Sequence, residues 1–149
     1  MVESHPLLKA CKSGNEAIVK YLVKHGADVN KVNKDDETPL FDACFEGNEA
    51  VVKYLVEHFA YINKFNKYSE TPLFRACESG NEAIVKYLVE HGADINNTNI
   101  EFETSLLLAC RYGDENVIKY LVEHGAEKNK NAEKVKLHYL KHVKEEMKL

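Results

Sequence analysis

Four cysteines recur at a constant interval and are the first candidates for chemistry in this sequence. They are Cys11, Cys44, Cys77 and Cys110, spaced 33 residues apart. Thiols could pair in disulfides or bind zinc, but packed helices lie roughly 8–10 Å apart. A disulfide needs Cα atoms within roughly 7 Å, and zinc needs ligand atoms at about 2.0–2.3 Å. We therefore interpret these residues as small buried thiols that fill core space, as expected in a reducing compartment.

Four histidines follow the same interval and suggest metal binding. They are His25, His58, His91 and His124. A row of stacked elements with a step of roughly 8–10 Å cannot converge on one ion, whereas a cation near a helix C-terminus is favourable and accounts for the row. His138 and His142 have i, i+4 spacing and could chelate a metal on a helix face. No Glu follows the first of them as in zinc proteases, so we expect no metal.

The remaining polar residues form no catalytic constellation. The sequence has no Gly-rich phosphate loop and no Ser in a nucleophile-elbow context, so we predict no enzyme activity and no cofactor. The chain has 149 residues, the size of one domain, and a net charge of −4. That charge argues against sequence-independent binding of nucleic acid or anionic membrane. No apolar run approaches about 18 residues and the N-terminus has no signal-peptide pattern, which predicts a cytoplasmic or nuclear protein.

Both rows belong to a longer repetition that must position them. Leucines recur with the same period, at Leu7, Leu40, Leu73 and Leu106. A period of roughly 20–50 residues predicts a solenoid of stacked units. In the second unit, Thr38 and Pro39 begin a helix that runs to about Glu46, with the Thr hydroxyl accepting a backbone N–H. Asn48 begins a second helix that ends near His58, and an extended segment with a polar turn leads to the next unit.

The repeated string resembles the ankyrin repeat. It reads Thr-Pro-Leu-x-x-Ala, then Gly-Asn, then Ile-Val-Lys-Tyr-Leu-Val-Glu-His-Gly-Ala-Asp-Ile-Asn, and it covers roughly residues 4–131. The tetratricopeptide repeat of about 34 residues fails on period, on the absence of Trp and on the Gly-Ala-Asp-Ile-Asn segment. The resemblance implies an all-α, ankyrin-type solenoid of stacked helix-turn-helix repeats with projecting hairpin loops. In that family partners usually bind a concave face made by the loop tips and first helices.

Several positions depart from that family's pattern. Where the family often has His after Thr-Pro-Leu, this chain has Phe41, Phe74 and Leu107. Where its loop tip often has Gly, this chain has Asp36, Ser69 and Phe102, and Ser105 replaces the fourth Pro. Phe59 stands where the other three units have Gly, and Tyr61 also breaks the repetition. A bulky left-handed residue would cost roughly 1–2 kcal/mol, so the helix ends differently there or tolerates the cost. Drift and an aromatic contact site for a partner or second copy both remain open.

The repetition divides one domain, residues 1–149, into repeats of about 4–33, 34–66, 67–99 and 100–131. The stretch after them leaves the period. The spacing of Leu137, Leu140 and Met147 predicts a helix with one apolar side over about 132–147. We interpret it as a C-terminal capping helix that covers the last repeat. The alternatives are the stub of a longer array and a helix that recruits a partner.

Positions that differ between repeats indicate where a partner would bind, because the shared positions hold the solenoid together. From the first helices, turns and loops we select Asp35, Asp42, Phe45, Glu46, Tyr68, Arg75, Glu78, Phe102, Arg111 and Tyr112. Exposed aromatic residues are enriched in interfaces, although each could instead pack against the next loop. We therefore predict a non-catalytic protein–protein interaction module, a scaffold for a protein or peptide with basic and apolar groups. We expect a monomer, and the alternative is a self-assembling array or an engineered consensus-like scaffold with no specific partner.

Overall fold

The structure, a computed structural model, describes residues 5–127, and this part of the chain is all-helical. Its helices are α1 (Pro6–Ser13), α2 (Glu16–Lys24), α3 (Pro39–Phe45), α4 (Glu49–Glu57), α5 (Pro72–Ser79), α6 (Glu82–Glu90), α7 (Ser105–Tyr112) and α8 (Glu115–Glu123). The only β-structure within 5–127 is an isolated bridge between Thr98 and Thr104. The predicted stack of helix-turn-helix repeats is thus confirmed. The proposed cap helix at about 132–147 lies outside the described residues, as do His138 and His142.

The first helices pack on one another in chain order, the second helices do the same, and each first helix packs on its own second helix. Small residues allow this close approach: Ala43 and Cys44 are completely buried, and so are Ala76 and Cys77. All four cysteines are buried free thiols, which confirms their predicted place in the core. Burial raises the pKa of the Cys11 thiol to about 12. These side chains fill the interior of the stack.

The first helices differ in whether a threonine hydroxyl caps their start, which corrects the prediction for Thr38. The predicted hydroxyl cap forms only at Thr104, which accepts a hydrogen bond from the Leu107 N–H at 3.2 Å. The hydroxyls of Thr38 and Thr71 are buried without a hydrogen-bond partner among the described residues. The reason is that the Phe41 and Phe74 N–H groups donate instead to the backbone carbonyls of these threonines, at 3.0 Å.

The second helices also differ in their caps. The side chains of Asn15, Asn81 and Asp114 accept a backbone N–H three residues further on, at 3.0–3.1 Å. Asn48 makes no such cap, contrary to our prediction. Its side-chain amide donates to the Cys11 carbonyl at 3.2 Å, so this residue joins the first and second repeats instead.

A row of asparagines ties each repeat to the next. The side-chain amides of Asn30, Asn63 and Asn96 donate to the carbonyls of residues 59, 92 and 125 at 3.0–3.1 Å. The oxygens of the same three side chains accept the N–H groups of residues 61, 94 and 127 at 2.8–2.9 Å. Each amide thus bridges two backbone groups of the following repeat and sets the register of the stack. We predicted no role for these asparagines, although their 33-residue spacing is visible in the sequence.

Phe59 takes the left-handed conformation that glycine takes in the other repeats. Its φ is 69°, beside 88° for Gly26 and 97° for Gly92. The Ala60 N–H donates to the Leu55 carbonyl at 3.0 Å, as the Ala27 N–H does to the Leu22 carbonyl in the first repeat. The helix therefore ends in the usual way, and the strain of roughly 1–2 kcal/mol is tolerated. The loop-tip residues Asp36, Ser69 and Phe102 adopt φ values of 59–60° and keep the same left-handed conformation without glycine.

Candidate partner-binding surface

Part of the predicted site forms a groove between the first helices of repeats one to three. The groove has a volume of about 230 Å³ and is lined by Lys12, Glu37, Phe41, Asp42, Phe45, Glu46 and Arg75. Phe41 is its floor, since it is only 1% exposed. Phe45 is 46% exposed and offers an open aromatic face. We call this groove, which collects the predicted Asp42, Phe45, Glu46 and Arg75, the Asp42 groove.

Asp42 is the least satisfied charge of this groove. Desolvation, followed by the nearby Glu37 carboxylate, raises the pKa of Asp42 from 3.8 to about 6, although Lys12 and Arg75 act in the opposite direction. Among residues 5–127 no hydrogen bond or ion pair reaches its carboxylate. A half-buried carboxylate without a partner is costly, because burial disfavours the charged form. A cation placed in this groove would relieve that cost.

Arg75 stands one repeat further on, at the same position of its helix, and its surroundings are the reverse. Its guanidinium contacts Glu37 at 2.8 Å, Glu78 at 2.9 Å and Glu70 at 3.4 Å. Burial lowers the pKa of Arg75, but the hydrogen bonds to Glu37 and Glu78 outweigh it and the net shift is upward. Glu37 also accepts the Asn66 side-chain amide at 3.1 Å. This network joins the loop of repeat two to the first helix of repeat three.

A second groove, of about 200 Å³, shares Arg75 with the first. The predicted residues on its walls are Tyr68, Arg75, Glu78, Arg111 and Tyr112. The Tyr112 hydroxyl donates to Glu78 at 3.3 Å, and Arg111 forms an ion pair with Glu103. We call this the Tyr112 groove, and the two grooves together the first-helix surface.

Two predicted residues lie apart from both grooves. Asp35 forms an ion pair with Lys67, and the Lys67 ammonium lies 5.0 Å from the centre of the Tyr68 ring. Phe102 is 73% exposed at the tip of the last hairpin loop. Conversely, Glu37 lines the Asp42 groove and holds Arg75, but was not among the selected site residues. Its signal was the acidic row Glu37, Glu70 and Glu103 at the repeat interval.

The histidine row lies at the C-terminal ends of the second helices. Each imidazole Nδ1 lies 2.7–2.8 Å from the carbonyl oxygen of the tyrosine four residues earlier. Each ring also stacks on that tyrosine, with ring centres 3.9–4.0 Å apart. Because the same carbonyls also accept the backbone N–H of each histidine at 3.1 Å, each imidazole adds a second contact to the last turn of its helix. In residues 5–127 no group of three or more metal-ligating side chains could hold an ion.

None of the helices within 5–127 has the length and apolarity needed to cross a membrane. The stacked helix pairs and the grooves between their first helices define a helical repeat protein whose variable side chains line one surface. The family model described as ankyrin repeats (3 copies) matches residues 3–66 and 61–132. The chain belongs to the ankyrin repeat family, whose members are generally protein–protein interaction modules and typically non-catalytic. A search of curated proteins finds no match.

Proposed function

We propose that this protein is a non-catalytic interaction module whose first-helix surface binds a protein or peptide segment with basic and apolar groups. The observation that carries the proposal is Asp42, a half-buried carboxylate without a partner beside the exposed ring of Phe45. Of the other acidic groups around it, Glu37, Glu70 and Glu78 contact Arg75, whereas Glu46 is exposed in the same groove. A basic side chain of the partner forms an ion pair with Asp42.

In this proposal the Asp42 groove binds a basic side chain of the partner and the Tyr112 groove binds apolar groups of the same segment. The partner's cation pairs with Asp42 and Glu46 while its aliphatic part lies against Phe45, as long basic side chains bury their stems on apolar surface. Apolar groups of the same segment pack on Tyr112, which is 52% exposed. Pairing stabilises the charged form of Asp42, so binding lowers its pKa and is tighter above about pH 6 than below it. We expect the protein to act in the cytoplasm or nucleus, by occupying its partner's surface.

Selection of peptides from a random display library tests this proposal. We expect wild-type protein to select sequences that combine Lys or Arg with apolar residues, and Phe45→Ala to weaken their binding about tenfold. Asp42→Asn should weaken it by a similar factor, and more at pH 7 than at pH 5. The matched control is Tyr21→Ala, which removes a 61% exposed aromatic ring from α2, outside both grooves.

Equal losses in the control and in Phe45→Ala would contradict the proposed surface. So would peptides without basic residues. Light scattering of the unliganded protein tests the alternative of a self-assembling array, because such an array gains mass with concentration whereas a monomeric module does not.

A further inference from the structure

The two grooves of the first-helix surface are built around one recurring helix position. Asp42, Arg75 and Leu108 are the fourth residues of α3, α5 and α7. Asp42 lines its own groove, and Arg75 lines both grooves. Leu108 lines the Tyr112 groove and is only 6% exposed, so it forms the floor there. The same position thus offers a carboxylate in the second repeat and an apolar side chain in the fourth.

Several polar groups of the Tyr112 groove are paired with one another. Arg111 forms an ion pair with Glu103, which also accepts the Asn99 side-chain amide at 3.3 Å. The Tyr112 hydroxyl donates to Glu78 at 3.3 Å. A ligand that competed for these groups would have to break existing hydrogen bonds, so it would gain little from them.

The open walls of the same groove are apolar. Ile100 is 57% exposed, and its N–H donates to the Tyr68 carbonyl at 3.0 Å, which holds two neighbouring loop tips together. The rings of Tyr68 and Tyr112 are exposed as well. Because burial of apolar surface is favourable, this groove favours an aliphatic or aromatic side chain. The Asp42 groove favours a cation, because within residues 5–127 no hydrogen bond or ion pair reaches the Asp42 carboxylate.

The stacking of the helices sets the distance between these two preferences. The first helices pack on one another in chain order, and packed helices lie roughly 8–10 Å apart. Asp42 and Leu108 are two such steps apart, which gives about 16–20 Å. An extended peptide rises about 3.3 Å per residue and directs successive side chains to opposite faces. Only an even separation places two side chains on one face, and about six residues, or about 20 Å, is the even separation that fits.

We infer that the partner segment binds in an extended conformation across the first helices, with a basic residue at Asp42 and an apolar residue six positions away in the Tyr112 groove. This inference rests on the proposed function, because it specifies the segment that the first-helix surface binds. Arg75 separates the two bound side chains. Its guanidinium is held by three carboxylates, so it keeps the two grooves at a fixed distance.

Peptides selected from a random display library on the wild type show the spacing directly. Pairs of basic and apolar residues are counted at every separation, in both orders along the chain. We expect pairs at a separation of six to be enriched at least about threefold over pairs at five or seven, because only the former face the same side.

An insertion then tests the spacing in a single peptide. A synthetic copy of a recovered sequence, with one glycine inserted between the basic and the apolar residue, should bind about tenfold more weakly, because the insertion turns one of the two side chains away. The matched control carries the same glycine outside the pair and should bind as the parent peptide does.

Variants of the protein assign the two ends of the peptide to the two grooves. Replacing the apolar residue of the peptide by alanine should weaken binding to the wild type about tenfold. Ile100→Ala/Tyr112→Ala should lose this discrimination, whereas Asp42→Asn should keep it. Replacing the basic residue of the peptide by glutamine should matter for the wild type and for Ile100→Ala/Tyr112→Ala, but not for Asp42→Asn. Such cycles measure the coupling of each pair.

Three outcomes would overturn the inference while the proposed function stands, because basic peptides would still bind. The first is the absence of a preferred separation, and the second is binding that the inserted glycine does not change. The third is a preferred separation of about eleven residues, which a helix with a rise of 1.5 Å per residue would need to span the same distance. Recovery of peptides without basic residues would overturn both the inference and the proposed function.

Discussion

Asp42 and Arg75 occupy the same position in consecutive repeats, on helices with the same start and nearly the same length, yet their surroundings are opposite. Arg75 is held by three carboxylates, at 2.8–3.4 Å. Asp42 has no such partner within residues 5–127, and its pKa is raised to about 6 by desolvation and by Glu37. Identical backbone positions therefore serve two purposes. The third repeat uses its charge to join repeats, and the second leaves its charge open at the surface.

Glu37 is the residue that connects the two environments. It accepts a hydrogen bond from Arg75 and at the same time raises the pKa of Asp42. The same carboxylate thus helps to hold the second and third repeats together and favours a cation beside Asp42. Substitutions at these positions test whether the surroundings of Asp42 and Arg75 are indeed opposite.

Arg75→Met should lower the free energy of unfolding by about 2 kcal/mol, because three partly buried carboxylates lose their common cation. Urea unfolding at pH 7 measures this loss. Arg75→Lys is the matched control and should lose about half as much, since an ammonium cannot hold two carboxylates in fork geometry. A loss below about 0.5 kcal/mol in Arg75→Met would mean that this network does not hold the repeats together.

Asp42→Asn should raise the free energy of unfolding by about 1 kcal/mol at pH 7, after allowance for partial exposure. The folded-state pKa of about 6 lies above the ordinary 3.8, so the folded state holds an extra proton between these values. The stability contribution of Asp42 therefore falls as the pH rises from about 4 to about 6. Urea unfolding across that range should show the variant gaining on the wild type. A difference that stays constant with pH would contradict the raised pKa.

Glu37→Gln should lower the pKa of Asp42, by less than about one pH unit, because a neighbouring negative charge disappears. Carbon-detected NMR titration of the aspartate carboxyl groups measures the shift directly. Glu103→Gln provides the control, since it removes the equivalent acid that pairs with Arg111 and should leave Asp42 unchanged. An unchanged or raised pKa of Asp42 in Glu37→Gln would contradict the role of Glu37 in raising it.

Lys12→Met should have the smallest effect. Lys12 lowers the pKa of Asp42, so its removal should raise that pKa slightly and reduce the free energy of unfolding at pH 7 by about 0.3 kcal/mol. The same titration and unfolding measurements apply. An unchanged pKa of Asp42 in Lys12→Met would mean that Lys12 and Asp42 do not interact across the first two repeats.

Much of the fold could be predicted from the sequence because each repeat carries its own local signals. Proline at the first turn and the 33-residue apolar register identify the helices and their stacking, and the buried cysteines follow from them. The hydrogen bonds between repeats were harder to predict from the sequence. Asn48 could have capped its own helix or bonded across to Cys11, and only the packed geometry decides.

The partner-binding surface, too, could be predicted only in part from the sequence. Variation between repeats selected Asp42 and Arg75 as residues of interest, but it could not show that one is paired and the other is not. That difference depends on where Glu37, Glu70 and Glu78 point, and side-chain direction is not encoded in a repeat period. Phe59 is the converse case: its misfit was visible in the sequence, whereas the left-handed turn and its exposure required the structure.

The buried thiols have a consequence for experiment. One stands in each repeat, and burial raises the pKa of all four, to about 11 at Cys110. Because only the thiolate attacks alkylating reagents at an appreciable rate, each cysteine should stay unreactive until its own repeat opens. Labelling the chain for increasing times and locating the modified cysteines by mass spectrometry would thus give a separate labelling rate for each repeat. These four rates would show the order in which the repeats unfold.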